Sequence, residues 1–427
     1  MDATLDYIAD FSAFLQASPS SYHAAAEVAR RLHAAGFIRL DEPEKWTIDE
    51  AAGYYVVRDG AVIAWSQPAG AGPTTPFRIL GAHTDSPGFK LKPKPTISSH
   101  GWLQAGVEVY GGPLQNSWLD RELELAGRLV TRQGTEHLVR TGPFLRIPQL
   151  AVHLDRDVNN GLTLDRQRHL TPVFGVGGES EADLVAHLAG LAGLRAADVA
   201  GYDILTADTN PPAAFGLGDK LFAAGRLDNL SSVYAGLHAL IATSHLTMGG
   251  SINVLAAFDH EELGSQSRSG ASGPFLDDIL TRIGHGLGAT GSERLQAYAE
   301  SWCLSADAGH AVHPNYPERH DPANQPILGG GPLLKINANQ RYATDAHGAA
   351  LWARTCARAN VEYQEFVSNN TVPCGSTIGP LTATRLGIRV VDVGVPLLSM
   401  HSAREMCHVN DPQSLAAATA AFFAPEV

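Results

Sequence analysis

Cysteine is scarce in this chain. Its four residues, Cys303, Cys356, Cys374 and Cys407, form no C-x-x-C pair, which excludes a disulfide-built scaffold and a cysteine-rich zinc module. Basic residues are outnumbered, 31 against 44 acidic, for a net charge of -13 at pH 7. With no long Lys/Arg run to offset that balance, a general nucleic-acid binder and an anionic-membrane binder are excluded, although a local basic pocket stays open. No window reaches 18 uninterrupted apolar residues, so an ordinary membrane span is excluded too. The opening stretch MDATLDYIADFSAFLQ carries three acidic residues and no basic one, unlike a secretory leader. Together these absences predict a cytoplasmic protein. Three catalytic signatures are also missing. His260 is followed by Glu261-Glu262-Leu263-Gly264 rather than completing H-E-x-x-H. NNTVPCGSTIG holds Cys374 and Ser376 without a G-x-S-x-G elbow, and GHGLGATG at 284–291 has the glycines of a dinucleotide loop but no preceding strand.

What is present is a large reserve of apolar residues, 44% of 427, which is enough for one or two cores. After Ser20-Ser21, the residues Ala25, Val28, Ala29 and Leu32 recur at helical spacing, with Gly36 as a stop. YYVVRDGAVIAW reads as two strands about Asp59-Gly60, and FRILGAH (77–83) as a third. Such short apolar strands predict a mostly parallel sheet flanked by helices. Beyond Gly88 alternating pieces such as VEVYGG and ELELAGRLVTR take over, punctuated by Gly and Pro. A helix is expected at Glu179–Leu194 and a strand at Tyr202–Ala207. From Arg226 the α/β pattern returns, with a helical face from Leu230 to Ile241 and a buried strand in SINVLAAF (251–258). The expected organisation is a discontinuous α/β domain, 1–92 and 216–427, interrupted by a β-rich insert at 93–215.

Acidic residues and histidines stand at the ends of these elements. Open α/β sheets place ligands beyond the carboxyl ends of their strands. Asp259-His260-Glu261-Glu262 directly follows an apolar strand, where one carboxylate can hold a cation while its neighbour takes a proton from water; an acidic helix start is the alternative. His83 ends a strand with Asp85 two residues on, so that a carboxylate can orient the imidazole, or the pair can be an ordinary turn. Asp228 begins a helix and is equally suited to cap it. Asp307, His310 and His313 lie in SADAGHAVHPN, and His401 follows RVVDVGVPLLSM. Carboxylates and imidazoles suit zinc, manganese or cobalt without any thiolate. Five such ligands would support two ions with one bridging carboxylate.

In GAHTDSPGFKLKP, GRLDNL, DHEELGS, SADAGHAVHPNY, GPLLKINANQRYATD, CGSTIGP and VVDVGVPLLSMHSAREM, taken in order along nearly the whole chain, the sequence resembles the M18 aspartyl aminopeptidases. WLDREL and GPFLRIP extend the likeness through the middle segment. The resemblance implies a zinc-peptidase α/β domain interrupted by a β-rich oligomerisation domain. It implies two divalent ions per subunit, zinc first and manganese or cobalt as substitutes, with His83, Asp228, Glu262, Asp307 and His401 as ligands and Asp228 bridging. Glu261 would be the general base and Asp85 the residue that orients His83.

The same resemblance implies hydrolysis of unblocked amino-terminal Asp or Glu from short peptides, with His310, Lys335 and Tyr342 binding substrate. Lys335 would pair with the acidic side chain. His153 would reach a neighbouring subunit's site, since Gln149 stands where the family often has His. Closed tetrahedral dodecamers built from dimers are the implied assembly. Two alternatives accompany this reading: a broad or neutral-preferring metalloaminopeptidase, distinguished by whether Lys335 points away from the cleft, and a catalytically silent metal-binding assembly protein.

Overall fold

Each central strand of the main sheet sends alternate side chains to opposite cores. In Phe77–His83, Phe77 and Ile79 enter one apolar cluster while Leu80 and Ala82 enter another. In Ile252–Phe258, Val254, Ala256 and Phe258 join the first and Leu255 and Ala257 the second. A strand buried on both faces is apolar along most of its length, which is why these runs show no polar alternation. The computed structural model describes residues 3–49, 52–245 and 250–425.

Nine strands form this sheet, in the order Ile38–Arg39, Gly53–Arg58, Ala61–Ser66, Ile252–Phe258, Phe77–His83, Trp302–Ala306, Arg389–Gly394, Leu333–Lys335 and Gln364–Phe366. The four from Ile252–Phe258 to Arg389–Gly394 run parallel, whereas the pairings of Ala61–Ser66 and Leu333–Lys335 with them are antiparallel. The sheet is therefore parallel at its centre and mixed outside. Helices Ser21–Ala34, Leu227–Thr243, Ala346–Ala359 and Asn410–Phe423 cover one face, and Phe275–Gly286, Gly291–Glu300 and Ile378–Leu386 the other. Ser20 caps the helix at Ser21 by accepting from the His23 amide.

A second, antiparallel sheet of six strands is drawn from residues 88–208 and encloses its own core of Phe89, Leu125, Leu129, Ile147 and Ile204. The helix expected over Glu179–Leu194 is shorter. A 3-10 turn occupies Glu179–Glu181, and Asp183 then caps a fresh helix, Leu184–Leu191, by accepting from the Ala186 amide at 3.0 Å. A third sheet pairs Leu221–Ala224 with Ala213–Phe215 on one side and Glu405–His408 on the other. That last pairing brings residues far apart in sequence to one place, with Ala224 opposite Glu405, 181 positions on. Among the described residues no helix is long and apolar enough to cross a membrane.

Candidate metal centre

The parallel strands end together, and so do their polar residues. His83 closes its strand opposite Phe258, Asp259 to Glu262 follow that neighbour, and Asp307 follows Trp302–Ala306. Asp228 enters from the start of helix Leu227–Thr243, and His401 from the turn before Glu405–His408. His83, Asp228 and Glu262 offer ligand atoms that all lie within 4.8 Å of one another. His83 Nε2 is 3.3 Å from Asp228 Oδ1 and 3.8 Å from Asp307 Oδ1. His401 Nε2 is 3.3 Å from Asp228 Oδ2 and 3.4 Å from Glu262 Oε1.

Both imidazoles have their other nitrogen committed. His83 Nδ1 donates to the Asp85 backbone carbonyl at 2.9 Å, and His401 Nδ1 to the Gly112 carbonyl at 3.0 Å. A carbonyl only accepts, so each Nδ1 carries a proton and each Nε2 is the nitrogen that turns toward the cluster, where it can ligate once its own proton is given up. The expected orientation of His83 by the Asp85 carboxylate is thus made chiefly by that residue's main chain. The carboxylate is 3.4 Å from Nδ1. It accepts instead from the amides of Glu261 and Glu262, at 3.0 and 3.2 Å, and from the Tyr110 hydroxyl at 3.0 Å. Asp85 therefore sets the turn that presents the two glutamates.

Burial acts on every group here. It would depress both imidazoles, but the carboxylates facing them prevail: Asp228, Asp307 and Asp85 hold His83 well above its ordinary value, and Asp228 and Glu262 raise His401 to about 11. Burial pushes Glu261 up to about 8 and Glu262 up to about 7, with the like charge of Asp228 adding to both. Asp228 moves the other way, because the two imidazoles outweigh its own burial. Asp228 Oδ1 and Glu262 Oε1 are buried and accept no hydrogen bond. A buried carboxylate oxygen without a donor is costly unless a cation satisfies it. These orphaned oxygens and the neighbouring imidazole nitrogens fit a divalent ion of the zinc type.

Beside the cluster a cleft of about 250 Å³ is lined by His310, Tyr342 and Phe366 among others. Phe366 stacks edge-on with His310 and Tyr342, at 6.2 and 6.3 Å between ring centres. Lys335 is only 2% exposed, donates from Nζ to the Ala308 carbonyl at 2.7 Å, and lies 5.4 Å from the Tyr342 ring centre. It is not among the residues lining the cleft. His153 sits in an exposed turn and takes no part in these contacts. Sequence reasoning missed Tyr110, Gly112 and Glu405. The first two act through a hydroxyl and a main-chain carbonyl that no motif advertises. Glu405 accepts from the amides of Asp228 and His401, and its only sequence signal is a glutamate four residues after a candidate ligand.

The profile of the Aminopeptidase I zinc metalloprotease family (M18) matches residues 14–423. The chain belongs to the M18 family. As an M18 protein it is 54% identical over 417 residues to the probable M18 family aminopeptidase 2 of Streptomyces avermitilis, covering 97% of this chain and 96% of that one. Its M18 fold matches the cryo-EM structure of the Ape4 and Nbr1 complex with a TM-score of 0.95 at 35% identity, over 98% of this chain and 86% of the other. The mApe1 dodecamer of S. cerevisiae matches with a TM-score of 0.86 at 27% identity, over 98% and 96%. The chain is a zinc-dependent metallopeptidase of the aminopeptidase class.

Proposed function

We propose that the enzyme removes single residues from the free amino terminus of short peptides, with broad side-chain tolerance, using two divalent ions. The ligands in this reading are His83, Asp228, Glu262, Asp307 and His401. The observation that carries it is the division of Asp228: Oδ1 faces His83 beside Asp307, and Oδ2 faces His401 beside Glu262. One carboxylate between two ligand pairs is the arrangement a bridging ligand needs. When bound, zinc, or manganese or cobalt in its place, supplies Lewis acidity toward water and a peptide carbonyl. Glu261, half-buried beside the ligand cluster, is suited by position to take the proton of the attacking water and deliver it to the departing amine as the C–N bond breaks. Asp85 holds Glu261 in place through its amide. His83 and His401 keep Nε2 directed inward by donating from Nδ1.

Broad tolerance is supported by Lys335, which donates to the Ala308 carbonyl and is not among the residues lining the cleft. A preference for Asp or Glu is the second reading. It is favoured by a cleft whose basic lining is His310, His313, Arg319 and His320, with no carboxylate among its lining residues. We also propose that a β-rich insert at 93–215 joins copies of the chain, as dimers and then as a tetrahedral dodecamer, with His153 reaching a neighbour's site. The dodecamer of the S. cerevisiae relative and the exposure of His153 support that assembly. The test combines metal counting, light scattering and hydrolysis of peptides starting with Asp, Glu, Ala, Leu or Lys. Two ions per chain, fewer in Asp228→Asn, comparable kcat/KM for Ala and Leu against Asp, and a mass near twelve times 45.3 kDa are expected. One ion per chain in wild type rejects the bridging role, and turnover of Asp and Glu peptides alone rejects broad tolerance.

A further inference from the structure

Glu405 is 2% exposed, yet no cationic side chain contacts its carboxylate in the hydrogen-bond and ion-pair pattern of the described residues. Its two oxygens are divided between two main-chain amides. Oε2 accepts from Asp228 N–H at 3.0 Å and Oε1 from His401 N–H at 2.9 Å. Those amides belong to the two residues that, in the two-ion reading, meet both ions and close the second site. They lie 173 residues apart in sequence and are brought together where Leu221–Ala224 pairs with Glu405–His408, with Ala224 opposite Glu405.

The residue type matters. A carboxylate accepts at both oxygens and donates at neither, so it is the side chain of this length that can take two N–H groups at once. Glutamine would match the shape but turn an NH₂ toward one of the amides, donor against donor. Burying a charge is unfavourable, and an apolar side chain would fill the space at less cost. A glutamate that spends both oxygens on the amides of two ligand residues is therefore better explained by what it holds than by packing. His401 is then fixed twice, at its amide by Glu405 and at its ring by the Gly112 carbonyl. Its backbone is left-handed, φ 64°, a conformation that neighbouring contacts must maintain for a residue with a Cβ.

We propose that Glu405 is a positioning residue that ties the Asp228 and His401 loops at the spacing the metal centre requires, and so sets metal affinity. This rests on the two-ion reading above. Groups that orient ligands without touching the ion commonly change affinity by about 10–100-fold when removed.

Zn²⁺ titration of the metal-stripped full-length protein against a competing chelator tests this, with Asp228→Asn as the ligand control. Asp411→Asn is the matched structural control, because Asp411 is also a fully buried carboxylate accepting two amides, Gly329 at 2.9 Å and Gly331 at 3.2 Å, and touches none of the five ligands. Glu405→Gln should bind zinc about 10–100-fold more weakly, with Asp411→Asn within about threefold of wild type. Glu405→Asp, one methylene too short to reach both amides, should behave like Glu405→Gln and serves if the glutamine variant does not fold. Hydrogen exchange of the wild type needs no variant: the amides of Asp228 and His401 should be protected before zinc is added. Zinc affinity within about threefold of wild type in either folded Glu405 variant, or amides protected only after zinc binds, would overturn the proposal. If instead Asp228→Asn binds zinc as well as wild type, the two-ion reading itself fails.

Discussion

Replacing Lys335 with Met separates a lysine that holds the protein together from one that selects substrate. The side chain keeps its length and loses its charge. Two contacts disappear with the ammonium: the 2.7 Å bond to the Ala308 carbonyl and the 5.4 Å approach to the Tyr342 ring. Leaving a buried carbonyl without its donor costs about 1–3 kcal/mol, and a desolvated cation–π contact adds about 0.5–2 kcal/mol. Stability should fall by a few kcal/mol, read as a shift in the denaturant midpoint at unchanged slope. Catalysis is affected indirectly, because Ala308 follows Asp307 and a loosened carbonyl can disturb that proposed ligand. Such a disturbance lowers kcat/KM for all peptides alike. The informative quantity is the ratio of kcat/KM for Asp-starting over Leu-starting peptides, measured at equal metal content. An ammonium already bound to the main chain predicts a ratio within about threefold of wild type, under about 0.7 kcal/mol. A tenfold fall in that ratio, about 1.4 kcal/mol, would refute the reasoning and return Lys335 to the role of acidic selector.

Glu261→Gln keeps the bulk and removes the proton acceptor. Its kcat should drop by about 10²–10⁴-fold with metal content unchanged and KM nearly so, and a metal-loaded variant with near-normal kcat would remove Glu261 from the reaction. His23 provides the pH prediction. Burial lowers its pKa from the model-peptide value of 6.5 to about 4, with the positive fields of Arg140 and Arg226 adding to the effect. The folded protein therefore keeps this imidazole neutral where the unfolded chain protonates it, so its contribution is full above 6.5 and is lost as pH falls toward 4. Wild type should lose up to about 3 kcal/mol more than His23→Asn across that window, from the linkage between pKa and stability. Parallel pH–stability curves for the two proteins would show that His23 does not titrate as stated.

The central sheet was legible because burial on both faces leaves a trace: FRILGAH and SINVLAAF are mostly apolar, with no polar alternation, and both lie at the middle of nine strands. Position at the ends of strands and helices marked out a wider set of acidic residues and histidines, and the family resemblance then picked the five ligand candidates from among them. The outer strands were harder. Apolar content reports that a strand is covered, not which neighbour it pairs with or in which direction, so the antiparallel pairings of Ala61–Ser66 and Leu333–Lys335 left no signature. The passage into the β-rich segment was visible as a change of pattern near Gly88. A boundary between 92 and 93 nevertheless falls inside one continuous strand, Gly88–Ser99, because a strand can belong to a new sheet without any break in its own alternation.

The contacts around the ligands were the least legible, for a reason that Asp85 and Glu405 share. Each was in plain sight as an acidic residue near a candidate ligand. For Asp85 the sequence suggested a carboxylate partner for His83, yet the carbonyl makes that contact and the carboxylate gathers two amides and a hydroxyl from elsewhere. For Glu405 nothing in SMHSAREM reveals that Asp228 lies within reach, because that proximity is created by a strand pairing across nearly half the chain. Motifs report which atoms chemistry needs, whereas the amides and carbonyls that hold those atoms in place carry no side-chain identity to read. Residue type still narrows the search. A buried carboxylate with no cationic side chain in contact has to collect N–H groups, and when those belong to ligand residues, changing it should show first in metal affinity and only secondarily in the fold.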